Sequence, residues 1–270
     1  MKNSIWPILV VLVVAGVAGI AWYLHLQREP AMQQLPGPVP AQQAPPPAPA
    51  AAATPRYPMV EPPAAPQVPA KPLPALDDSD NEIDNALAEL FGRQSLEQFF
   101  ELQGLVRHVV ATIDNLPRDK VSAGLRAFRP VPGRFAVSGS EGDRSIDPGN
   151  YARYVPYVRF AQALDARRLV AVYAHFYPLF QQAYVELGYP DGYFNDRLVE
   201  VIDHLLATPA VTGPVRLVQP NVLYRYADPE LESLSAGQKM LIRMGPDNAT
   251  AVKTKLREIR TELAARAPRR

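Results

Sequence analysis

The sequence predicts a mainly α-helical single domain with a minor β element, preceded by one transmembrane helix and a proline-rich tether. Three observations lead there. Apolar residues recur at three- and four-residue steps between 165 and 207, the period of helices with one buried face. Residues 3–24 carry no charged side chain, and about 20 helical residues at ~1.5 Å each cross a bilayer core of about 30 Å. The 30 prolines are an excess over ordinary usage, and their density between 27 and 76 explains them. Charge adds little direction. With 28 basic against 27 acidic side chains the net charge is +1, so no global field draws the chain to nucleic acid. Cysteine is absent, which removes disulfides, thiolate metal sites and cysteine nucleophiles together.

Residues 1–4 form a stub, expected on the cytoplasmic side. Residues 5–26 are the expected spanning helix, the contact with the lipid bilayer. Trp6 and Trp22 lie about 24 Å apart on such a helix, where aromatic belts mark the two interfaces. Lys2 precedes the run, whereas Arg28 beyond it is followed at once by Glu29, so the positive-inside rule keeps the N-terminus cytoplasmic. A cleaved signal peptide is the rival reading, with Gly19 and Ala21 as cleavage-site residues. The apolar run exceeds the 7–15 residues usual for a signal core, which favours an uncleaved anchor. Residues 27–76 are proline, alanine and glutamine with few charges, an extended spacer reaching on the order of 140 Å at ~3.1 Å per residue. Its PxxP spacings also suit proline-reading modules, although they arise by chance in any such tract.

The folded part is placed at 77–266, with a basic tail at 267–270. Ser79 or Asp80 caps a helix carrying Ile83, Leu87, Leu90 and Phe91, stopped by Gly92. From Ser95 a single helix is expected through Leu96, Phe99, Phe100, Leu102, Val106, Val110 and Ile113, ended by Pro117. Residues 129–150 turn irregular, with a short strand around 135–137. Asp147-Pro148 opens a helix toward Leu164, bent near Pro156. The strongest periodicity runs from Asp165 to Leu187, through Leu169, Val172, Tyr173, Phe176, Phe180 and Tyr184, with Pro178 inside it expected to kink the helix and Gly188 closing it. After the turn Tyr189-Pro190-Asp191-Gly192, residues 194–207 form a partner helix that turns back along it. One strand is expected within 215–226, with Val222, Tyr224 and Tyr226 on one side. Asp228-Pro229 starts a short helix, Ser235 and Gln238 have capping-box spacing, and Pro246 opens the last helix.

FYPLFQQAYVELGYP at 176–190, YFNDRLVEVIDHLLATP at 193–209 and ADPELESLSAGQKMLIRMGPDN at 227–248 resemble the bacterial membrane-anchored family labelled domain of unknown function 3014. The resemblance extends over roughly 77–263. It implies an inner-membrane-anchored envelope protein with one soluble region, and it transfers no catalytic residue.

Two sets of residues are candidates for chemistry. Asp196, Arg197, Glu200, Asp203 and His204 are expected on the side of their helix opposite its apolar face, by about 100° per residue. Glu200 and His204 at i, i+4 can both reach a divalent metal, and the same residues are ordinary for a solvated helix face. Ten of the twelve tyrosines lie between 151 and 226. Tyr177, Tyr189 and Tyr193, off the periodic stripe, form with Arg197 a candidate surface for a ligand or a partner. GxSxG, HExxH, P-loop and GxGxxG motifs are all missing, and no motif calls for a cofactor. The expected function is a periplasmic binding or scaffolding module of the cell envelope, partnered by an envelope protein or peptidoglycan and not by nucleic acid. The alternative is an envelope hydrolase or metal-dependent enzyme using the acidic face of residues 194–207.

Overall fold

The computed structural model describes residues 54–59, 72–120, 124 and 126–266. The expected spanning helix at 5–26, most of the tether and the tail at 267–270 lie outside these residues. No helix among the described residues is long and apolar enough to cross a membrane. The described domain is mainly helical with two small antiparallel strand pairs.

A 3₁₀ turn at Leu76–Asp78 leads into α1 (Asp80–Phe91), followed by α2 (Arg93–Phe99) and α3 (Leu105–Asn115). The single helix expected from Ser95 to Ile113 is broken between Phe100 and Gly104. Apolar periodicity continues across the break, but Gly104 takes a φ of 63° and its N–H donates to Asp80 on α1 at 2.8 Å. Phe100 leaves the helix to bridge Phe128, and their rings lie 4.8 Å apart. Tertiary partners therefore outbid a local pattern that reads as unbroken.

Strands β1 (Val137–Ser138) and β2 (Ser145–Ile146) make one hairpin, β3 (Leu217–Val218) and β4 (Arg225–Tyr226) another. The one strand expected within 215–226 is thus two, because Pro220 offers no ladder donor and the chain turns there. Val222 and Leu223 end on the loop tip, 86% and 77% exposed. The hairpins join through a Ser145–Arg216 bridge, and Ile146, Val215, Leu217, Tyr226 and Ile242 share a small apolar cluster.

Between the hairpins run α4 (Gly149–Ala163), α5 (Ala166–Glu186) and α6 (Phe194–Leu206); after them come α7 (Pro229–Glu232), α8 (Ala236–Arg243) and α9 (Pro246–Ala265). Their ends follow local chemistry. The Asp165 carboxylate accepts the Arg168 N–H at 2.9 Å to start α5, which continues through Pro178 for 21 residues. Ser235 and Gln238 complete the capping box of α8. Gly245, at φ 88°, separates α8 from α9 and lies against a ring, since a Cβ there would sit 2.6 Å from Tyr151 Cγ.

The main core is built by α1, α2, α3 and α5, with Leu96, Phe99, Val106, Val110, Phe176 and Leu179 buried. Phe180, expected at its centre, is half-buried. Phe194 at the start of α6 is fully buried and stacks on it at 5.8 Å. Helix α6 then joins three clusters: Phe194 in the main core, Val199 and Ile202 with Val170 and Leu263, and Val201 and Leu205 with Leu241 and Met244. With an apolar residue on almost every inward step, α6 has only a narrow polar strip left. That strip carries the candidate site.

Candidate functional site

The site is organised by α6 and α9, and something already lies in it. Residues 54–59, Thr-Pro-Arg-Tyr-Pro-Met, belong to the stretch expected to be a spacer, yet they pack on the domain with a bend at Arg56–Tyr57. Prolines at 55 and 58 have no N–H, so Arg56 and Tyr57 supply an isolated pair of neighbouring backbone donors. Asp196 accepts both, from Arg56 N at 2.8 Å and from Tyr57 N at 2.7 Å, one on each carboxylate oxygen. Successive backbone N–H groups converging on an anion form a nest, and here the anion is a side chain of the domain itself.

Three further contacts fix the bound segment. Asn195 is 2% exposed and donates from Nδ2 to the Tyr57 carbonyl at 2.7 Å. Its own Oδ1 accepts from the Tyr173 hydroxyl at 3.3 Å, which sets the direction of the amide. The Arg56 guanidinium donates to Glu200 at 3.1 Å. The Tyr57 ring lies under the Arg260 guanidinium at 5.0 Å, and Asp203 accepts from Arg260 Nε at 3.1 Å. Tyr57 and Met59 cover the apolar cluster of Leu198, Ile202, Leu256 and Ile259. The result is a groove between α6 and α9 with a carboxylate at one wall, a cation at the other and an apolar floor.

The four acidic-face residues are therefore divided among different tasks. Asp196 and Glu200 hold the bound segment, and Asp203 holds Arg260. His204 turns its Nε2 to Ser235 Oγ at 2.8 Å. Burial, and next to it the Arg197 charge, push the His204 imidazole below its ordinary range. The His204–Ser235 contact has the atoms of a nucleophile and its base, but Ser235 is 6% exposed and its oxygen caps α8. Among the described residues no group of three or more histidines and carboxylates is placed to hold a metal ion.

The four candidates for a partner surface separate into two places. Tyr189 and Arg197 come together on Asp114 of α3, which is 2% exposed. Arg197 donates to its carboxylate from Nε at 3.0 Å and to its backbone carbonyl from Nη2 at 2.9 Å. The Tyr189 hydroxyl donates to the same carboxylate at 3.2 Å, its ring stacked on Tyr184 at 4.5 Å, and Arg118 pairs with it from the solvent side. These two residues thus join α3 to α6 and to the turn before it. Tyr177 packs on the main core and lies near Tyr193 and Asp196 at the start of α6. Tyr193 is the residue preceding α6, and Tyr177 donates to Gln181 at 3.0 Å, its hydroxyl pushed up to about 12 mainly by burial.

Sequence reasoning passed over Asp114, Asn195, Arg260 and the bound segment itself. A signal for the last was present: two residues bearing N–H groups, bracketed by prolines, inside a tract otherwise poor in large side chains.

A family model described as "Protein of unknown function (DUF3014)" matches residues 105–260, which begins at α3 and takes in both walls of the groove, ending at Arg260. No curated protein and no solved structure matches the chain.

Proposed function

This chain belongs to the DUF3014 family, and from that premise we propose that it is a binding module, not an enzyme, whose α6–α9 groove grips short irregular polypeptide segments. The observation that carries the reading is the double acceptance of the Arg56 and Tyr57 N–H groups by Asp196. A carboxylate aimed at main-chain donors reads backbone shape, while Arg260 and Glu200 read a ring and a cation beside it. Such a mixture of main-chain and side-chain recognition is how grooves take extended ligands.

The same proposal places the domain on the periplasmic side of a bacterial inner membrane, anchored through residues 5–26 and acting as a scaffold in the cell envelope. Sequence supports that placement: the uncharged run, Trp6 and Trp22 at its ends, and Lys2 before it.

Trypsin tests the grip in the full chain. The Arg56–Tyr57 bond is expected to resist cleavage while the segment is seated, and Asp196→Ala is expected to raise its cleavage rate at least ten-fold with the rest of the domain still resistant. Equal rates in the two proteins would remove the groove as a peptide-gripping site.

A further inference from the structure

Resting on that reading, we propose that the α6–α9 groove serves a partner polypeptide in trans, and that residues 54–59 occupy it in cis as a removable strap. The partner chemistry is the strap's own: a proline-bracketed segment that offers two adjacent backbone N–H groups, with a basic side chain followed by an aromatic ring.

Two groups lining the groove are held by contacts that do not involve the strap. Asn195 is buried and oriented by Tyr173, and Asp203 holds Arg260, while Asp196 projects from the first turn of α6 toward the strap. A site whose polar groups are held this way is preorganised for any segment that presents matching atoms. The strap, by contrast, is loosely held as a piece of the fold. None of its six residues is fully buried, and its ion pair joins an Arg56 side chain 69% exposed to a Glu200 side chain 46% exposed. Segments with few buried apolar contacts open at far lower free energy than the core around them. Both walls also fall within the family match at 105–260, whereas the strap lies outside it.

Covalent attachment gives the strap its hold. A ligand on the same chain competes at an effective concentration on the order of millimolar, so a free segment of equal intrinsic affinity is kept out until the strap is lifted. Lifting the strap frees the site, so engagement of a partner is coupled to displacement of residues 54–59.

The test uses the full chain in detergent micelles and a fluorescent hexapeptide of sequence Thr-Pro-Arg-Tyr-Pro-Met as probe. The strap variant is Arg56→Ala with Tyr57→Pro, which removes the cation, the ring and one of the two N–H donors while leaving the domain core untouched. Its helical circular dichroism should equal that of the unaltered chain. The strap variant is expected to bind the probe at least ten-fold more tightly than the unaltered chain. Adding Asp196→Ala should abolish that gain, and a Thr-Pro-Ala-Ala-Pro-Met probe should bind at least ten-fold more weakly. Equal affinity in the unaltered chain and the strap variant overturns the strap as a gate. Tight binding that survives Asp196→Ala overturns the groove as the place of binding, and equal binding of the two probes overturns the stated chemistry. Trypsin resistance at Arg56–Tyr57 that persists while the probe fails to bind the strap variant overturns the trans role alone. Loss of that resistance from the unaltered chain is the separate failure of the binding-module reading.

Discussion

Asp114, facing α6 from α3, and Asp196, on α6 itself, do opposite things with the same functional group. Asp114, on α3, is 2% exposed and collects the charged side chains of Arg197 and Arg118 with the hydroxyl of Tyr189. Asp196, half-buried on α6, takes two neutral backbone N–H groups from a segment distant in sequence. The neighbouring Arg197 turns inward to the first carboxylate while Asp196 turns outward to the strap, as about 100° per residue requires. A carboxylate taken out of water with cations becomes part of the fold, since either partner left alone is costly. A carboxylate at the surface, bonded to main-chain amides that water can also serve, makes a grip that opens. The difference separates what holds this domain together from what it holds.

The comparison breaks most visibly at the buried end. Asp114→Ala leaves Arg197 and Arg118 without their shared acceptor, and unfolding by denaturant should show a loss of about 3 kcal/mol, the lower part of the range for disrupting a buried pair. The lower part applies because Arg118 is half-exposed and reaches water once released. A loss under about 1 kcal/mol would place Asp114 in the same class as the surface carboxylates.

At the surface end the effects shrink. Glu200→Gln should change unfolding by about 0–1 kcal/mol, because its Arg56 partner is largely solvated. Trypsin resistance of the strap should be retained as well, since Asp196 still holds both N–H groups. Loss of resistance with Glu200→Gln would shift recognition from the main chain to the Arg56 side chain.

The smallest expected effect belongs to His204, between the two ends of the comparison. Burial and Arg197 lower its folded-state pKa below the ordinary value of about 6.5. As the pH falls through that value the unfolded chain takes a proton that the folded chain refuses, so stability declines on the acid side and is complete above it. Unfolding midpoints compared between pH 7.5 and 5.5 should fall less in His204→Gln than in the unaltered chain. Identical pH dependence would mean that His204 titrates alike in both states.

Helix ends were legible wherever one residue decides them. Ser235 and Gln238 box α8 and Gly92 stops α1, because capping and positive-φ turns are settled within four or five residues. The acidic strip of α6 was also readable, since a helix with apolar residues on its remaining sides leaves one direction for charge. Its tasks were not readable. Arg197 and Asp114 are 83 positions apart and Asp196 and Tyr57 are 139 apart, distances over which no periodicity carries information.

Composition and local patterning by themselves determined that this protein is mainly helical, where α4, α5 and α6 lie, where α7, α8 and α9 start, and that residues 27–76 are rich in proline and poor in large apolar side chains. Tertiary structure decided the rest: the break at Gly104, the pairing of strands within 215–226, the sharing of Asp114 by two arginines, and the seating of Arg56 and Tyr57 on Asp196. The physical reason is that caps and apolar periods are local free energies, whereas a polar side chain chooses its partner from whatever the packed core brings within about 3 Å of it.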